Sequence, residues 1–127
     1  ITAQSFYNET VNLTDDSVAA QAYKAAGKMI QSKFESNKKN KKEYFKAGAL
    51  ALNGVIEKNP NHIEARFIRL VIQQNTPGIL KYNTNISDDK KMIFEAFAKA
   101  DSNVKVAIKN YIVSSKKFTT EEINNLK

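Results

Sequence analysis

The sequence predicts an all-α fold, an irregular antiparallel array of about five to six helices. Three observations carry that prediction. Apolar residues recur at three- and four-residue steps in six segments. The segments are joined mostly by short runs rich in Asn, Ser, Pro and Gly, which set neighbouring helices antiparallel. No alternating apolar–polar run bounded by hairpin turns is present.

Each element follows from local chemistry. Asp15-Asp16-Ser17 is a cap signal before a helix over 18–34, where Ala19, Ala22, Tyr23, Ala26, Met29, Ile30 and Phe34 keep the helical period. Residues 37–42 read as a polar break. The period resumes over 43–58 with Tyr44, Phe45, Ala47, Leu50, Leu52, Val55 and Ile56. Asn59-Pro60-Asn61 stops that helix, since Pro cannot continue it and Asn caps the next. Residues 63–75 are then apolar on nearly every face, and Thr76-Pro77-Gly78 ends them. Residues 79–87, around Tyr82, lack a period and read as a packed loop. Ser87-Asp88-Asp89 restarts a helix to about residue 100, Asp101-Ser102 caps one over 104–113, and Thr119 with Glu122 offers a capping box for a short last helix.

The 127 residues suit one helical domain over 15–127, preceded by an N-terminal segment over 1–14 that reads as a short helix or an extended arm. Cysteine is absent, which excludes a disulfide framework, a Cys-ligated zinc site and thiol catalysis. A single histidine excludes multi-histidine metal sites, and no apolar run is long enough to cross a bilayer. No cofactor is implied. Residues 1–5 read equally as the tail of an export signal or as an ordinary start.

The net charge is +7. Lys (18), Asn (14) and Ile (12) supply 44 residues, a bias that matches AT-rich codons better than any shared physical purpose. Only two of the 20 basic residues are Arg, the side chain best suited to bidentate recognition of phosphate and bases. Nucleic acid is therefore a poor expectation as a specific partner.

The two arginines, Arg66 and Arg69, are the unusual charges. They sit three apart on one side of the most apolar segment, where a rigid, permanently charged fork needs a counter-charge. One reading pairs them with an internal carboxylate (Asp88, Asp89 or Glu64) and so pins the long loop. The other makes Arg66, Arg69 and nearby Tyr82 contacts for an anionic ligand or a partner's carboxylate. The run over 33–46, with Lys38, Lys39, Lys41 and Lys42 at its centre, is either a solvated turn or a face for a polyanion, nucleic acid or anionic lipid. His62 reads as a surface residue at a helix start. Asp15-Asp16 and Asp88-Asp89 read as caps rather than paired catalytic acids, because adjacent residues on a helix point in different directions. Gly27, Gly48 and Gly54 read as sites of close helix packing. Gly-rich phosphate loops are missing, and no nucleophile stands beside a base. The Asn-X-Ser/Thr triplets at Asn8, Asn12 and Asn85 are expected by chance in so Asn-rich a chain.

The stretch from Val55 to Arg66 resembles the junction between two tetratricopeptide repeats, with Gly48 twelve residues before Pro60 at that family's small-residue position. The likeness covers a single junction, without a second copy at the 34-residue period, and implies tetratricopeptide-like packing. Arg66 and Arg69 depart from that family's usual residues. A longer pattern resembles a family of small exported helical proteins of Bacteroidetes-type bacteria. It runs through Tyr23-Lys24-Ala25-Ala26-Gly27-Lys28-Met29-Ile30, Tyr44-Phe45-Lys46-Ala47-Gly48, Glu64-Ala65-Arg66-Phe67-Ile68-Arg69-Leu70, Gln73-Gln74-Asn75-Thr76-Pro77, Tyr82-Asn83 and Asp88-Asp89-Lys90-Lys91. That resemblance implies a signal peptide and a periplasmic or secreted location, against a cytoplasmic alternative, and carries no active site.

The expectation is thus a non-enzymatic helical domain that binds a protein or peptide. The alternative is a basic module that binds a polyanion through 33–46.

Overall fold

The computed structural model describes residues 17–126, and among them are six α-helices and no strand. The helices are α1 (Val18–Gln31), α2 (Lys38–Lys58), α3 (Ile63–Asn75), α4 (Ile86–Ala96), α5 (Ser102–Ser115) and α6 (Thr120–Asn124). Short 3-10 turns follow α1 (Ser32–Phe34), α3 (Gly78–Leu80) and α4 (Phe97–Lys99). The all-α array is as the periodicity predicts. The segment over 1–14, Asp15-Asp16 and the triplets at Asn8 and Asn12 lie outside the described residues.

The starts of the helices show which polar residues are caps. Ser17 Oγ accepts from the Ala20 amide at 3.1 Å, and His62 Nδ1 accepts from Ala65 N at 3.2 Å, so His62 is the N-cap of α3. Thr119 and Glu122 form the full capping box of α6, with bonds of 2.8 and 3.0 Å. Residues 38–42 are not a break. Asn37 Oδ1 accepts from the amides of Lys39 (2.9 Å) and Asn40 (3.1 Å), and α2 starts at Lys38. Its first six residues are all exposed, so they have no buried face and show no apolar period. The start of α4 also differs. Asn85 holds the cap position without a side-chain bond, and Asp89 is buried rather than capping.

α1 and α2 pack antiparallel and closest. A Cβ on Gly48 would run into Met29 Cγ and come within 2.8 Å of the Ala25 carbonyl oxygen, so glycine is required there. Gly27 is buried in α1. Gly54 faces open space and serves no close approach. α3 runs alongside α1 in the same direction, because the Tyr23 hydroxyl near the start of α1 donates to Glu64 Oε2 near the start of α3 at 2.8 Å. α4 returns along α3. Gln73 Oε1 accepts from Asn85 N at 2.8 Å, and one turn on Asp89 meets Arg69 and then Arg66.

α3 therefore divides the molecule. Ala65 and Ile68 close a first core with Ala22, Ala25, Ala26, Met29, Leu52 and Ile56. Leu70 closes a second with Ile93, Phe97, Ile108 and Ile112, against which Phe67, Phe94, Tyr111 and Phe118 pack.

The topology also brings two connections to one end. α1 and α3 run the same way and α2 runs opposite, so residues 32–37 and 76–85 emerge together. The Phe45 and Tyr82 rings confirm it, meeting edge-on with centroids 5.7 Å apart. Only part of the predicted packed loop is packed. Tyr82 is half-buried, whereas Ile79 is 87% exposed.

Candidate functional site

Helical spacing puts Arg66, Arg69 and Gln73 on one stripe of α3, and all three aim at the Asp89 carboxylate. Arg69 binds it with two prongs, Nε to Oδ2 at 2.8 Å and Nη2 to Oδ1 at 2.7 Å. Arg66 Nη1 reaches Oδ1 at 2.9 Å while its Nε donates to the Pro60 carbonyl at 2.9 Å. Gln73 Nε2 donates to Oδ2 at 2.9 Å. Asp89 is wholly buried and Arg69 nearly so. Among the described residues no buried side-chain nitrogen or oxygen is left without a partner. A buried carboxylate is tolerable only when saturated in this way.

Asp89 thus stands where an anionic ligand would sit between the two arginines. Of the internal acids considered as partners, Asp89 is the one that both guanidiniums bind, and Glu64 pairs with Tyr23 instead. Burial alone would pull the Arg69 guanidinium down, but the hydrogen bonds and charge of Asp89 outweigh it and hold it above its ordinary value.

Tyr82 belongs to the same network one step out. Its hydroxyl donates to Asn53 Oδ1 at 3.2 Å, and the same oxygen accepts from Arg69 Nη1 at 3.2 Å. Burial, countered by Arg69 and aided by Asp89, pushes the Tyr82 phenol well above the usual tyrosine value. Asn53 and Gln73 carry this arrangement without having stood out in the sequence. The i, i+4 step from Arg69 marks Gln73, but Asn53 joins from α2 with no local signal.

The lysines lie elsewhere. Lys38, Lys39, Lys41 and Lys42 occupy the exposed opening of α2, and they make no ion pair within the described residues. They stand at the positive end of the helix dipole, where cations weaken the helix, and no acidic residue shares that first turn. Folding does not call for them there.

A third surface is the outer side of α5. Ile108 and Ile112 point into the core, while Asn103, Val106, Ala107, Asn110, Val113 and Ser114 share the opposite, exposed face. Val106 and Val113 are each more than half exposed.

No group of three or more His, Asp or Glu residues among those described could hold a metal ion, and no described helix is long and apolar enough to cross a membrane. Comparison with protein-family models, curated proteins and solved structures finds no match to this chain. What the fold defines is a class, an all-α helical array closed around a buried arginine–aspartate network.

Proposed function

We propose that the chain is a non-enzymatic interaction domain of an exported bacterial protein, built from tetratricopeptide-like helix pairs and binding a protein or peptide. The supporting observation is the outer face of α5, which exposes Val106 and Val113 seven residues apart, with Ala107 and Asn110 beside them and one exposed cation, Lys109, between the two valines. An array that buries one side of its last long helix and leaves a partly apolar stripe on the other suits a macromolecular contact. The test is crosslinking capture from an envelope fraction, with Val106→Asp/Val113→Asp as the control. Partners captured by the parent chain and lost in the double variant support the reading. An identical set from both overturns it.

A second reading has its own observation. The lysines of 33–46 form no ion pair among the described residues, and those opening α2 stand against the helix dipole, which suits a polyanion. Binding to heparin that collapses between low and moderate salt is the expected result, and no binding at low salt rejects it.

A further inference from the structure

The end of the array where the lysines sit carries more than charge. Residues 32–37 and 76–85 emerge together there beside the opening turns of α2, and residues 32–46 and 76–85 hold seven lysines (33, 38, 39, 41, 42, 46 and 81) against two glutamates (35 and 43). Among these cations stand three apolar side chains that the cores leave out: Phe34 at 52% exposed, Ile79 at 87% and Leu80 at 39%. Phe34 sits on the 3-10 turn after α1, and Ile79 and Leu80 form the tip of the one after α3. Lys81 closes that second tip in the left-handed region at φ 54°, a conformation lysine adopts at some cost. Both turns therefore present hydrophobic tips at an end of the array rich in lysine, and the second tip stands on a fixed base, since Tyr82 right behind it is held by Phe45 and Asn53.

The geometry points to this end as a docking surface for an anionic lipid bilayer, with Phe34, Ile79 and Leu80 entering the headgroup boundary and the lysines meeting lipid phosphates. The inference rests on the polyanion reading and narrows it to a membrane. Nucleic acid would use the lysines but has no use for two aliphatic side chains at a loop tip. An interface between water and hydrocarbon uses both. Clustered lysines attract an anionic leaflet additively, and the attraction fades with salt. After the second turn the next exposed acid along the chain is Asp88, in the first turn of α4, and with the two glutamates it leaves the seven lysines in excess.

Co-sedimentation of the whole chain with vesicles tests this, using phosphatidylcholine alone and phosphatidylcholine with about one third phosphatidylglycerol. Binding is expected only to the anionic vesicles, weakening as salt rises from about 50 to 200 mM. Phe34→Ser with Ile79→Ser is expected to weaken it about tenfold, and Lys38→Ala or Lys41→Ala about fivefold each. All four positions are exposed, and unchanged helical circular dichroism checks the fold. A 20-base-pair DNA duplex run in parallel separates the two readings. Duplex binding without vesicle binding overturns the membrane inference and leaves the polyanion reading standing. Binding to neither overturns both. Vesicle binding that the Phe34/Ile79 double variant leaves unchanged also overturns the inference, because the apolar tips would then have no part in it.

Discussion

The two cores on either side of α3 are held by different means. Between α1 and α2 the backbones approach closely over Ala22, Ala25, Ala26 and Gly48, with Met29, Leu52 and Ile56 filling the core beside them. On the other side α5 and α6 are reached through rings. Phe67 meets Tyr111 edge-on at 5.7 Å, Tyr111 meets Phe118 at 6.3 Å, and Phe118 meets Phe94 at 6.2 Å. Lys90 caps that train, with its Nζ 4.9 Å from the Phe118 ring centre and 2.7 Å from Glu122. Small residues make a contact that tolerates no added volume. Ring trains make one that adapts, because edge-on pairs hold over a range of separations. Between the two lies the Asp89 network, which belongs to neither.

The network is where the largest effect is expected. Asp89→Ala strands two guanidiniums, one of them buried, and should cost about 3–5 kcal/mol in chemical denaturation. Asp89→Leu combined with Arg69→Met should recover a large part of that, since an apolar replacement leaves less charge stranded. A double variant no more stable than Asp89→Ala would mean that the loop, not the charge, is what was lost. The next largest effect tests the small-residue core. Gly48→Val forces α1 and α2 apart and should cost about 2–3 kcal/mol. Gly54→Ala in the same helix should be neutral or slightly stabilising, because nothing lies near it. Equal losses at the two glycines would erase the contrast between the cores.

Tyr82→Phe removes the bond to Asn53 and should cost about 1 kcal/mol. Its titration gives a pH dependence. The folded-state value is raised, chiefly by burial, so the stabilisation is complete below about pH 10 and is lost as the pH climbs above it. Tyrosinate absorbance should show Tyr82 among the last of the five tyrosines to ionise, and that late step should vanish in the Phe variant. Lys116 ends α5 at φ 60°, so Lys116→Gly should raise the melting temperature, by about 0.5–1 kcal/mol of stability. The smallest effect is at Glu122. Its carboxyl is held low first by the hydrogen bond from Lys90 and then, against some desolvation, by the capping box. That stability is present above the ordinary glutamate range and is lost as the pH falls through the lowered value. Glu122→Gln should therefore cost less than about 1 kcal/mol at neutral pH, and nothing in strong acid.

Much of this was legible from residue order. The Asn59-Pro60-Asn61 turn, the Ser17 cap and the Thr119–Glu122 box are local signals, and local signals survive in a sequence. The opening of α2 was hidden because periodicity reports burial, and six exposed residues have none to report. Asp88-Asp89 looked like capping acids because acids favour a helix start. That the second of them turns inward depends on α3 lying alongside, which no local rule contains. The arginine pair announced that a counter-charge was needed. Asn53, brought in from α2, had no such announcement.

The separation of the paired residues along the chain has a kinetic consequence. Asp89 lies 20 residues from Arg69 and 23 from Arg66, so closing that loop costs little entropy. Tyr23 reaches only 41 residues to Glu64, and Tyr111 37 to Gln74. Each helix finds its partners among its near neighbours in the chain, so refolding should be fast, in the microsecond-to-millisecond range of helical proteins of low contact order. The α3–α4 hairpin, whose ion pairs join residues 20 and 23 apart in the chain, closes at the smallest of these entropy costs.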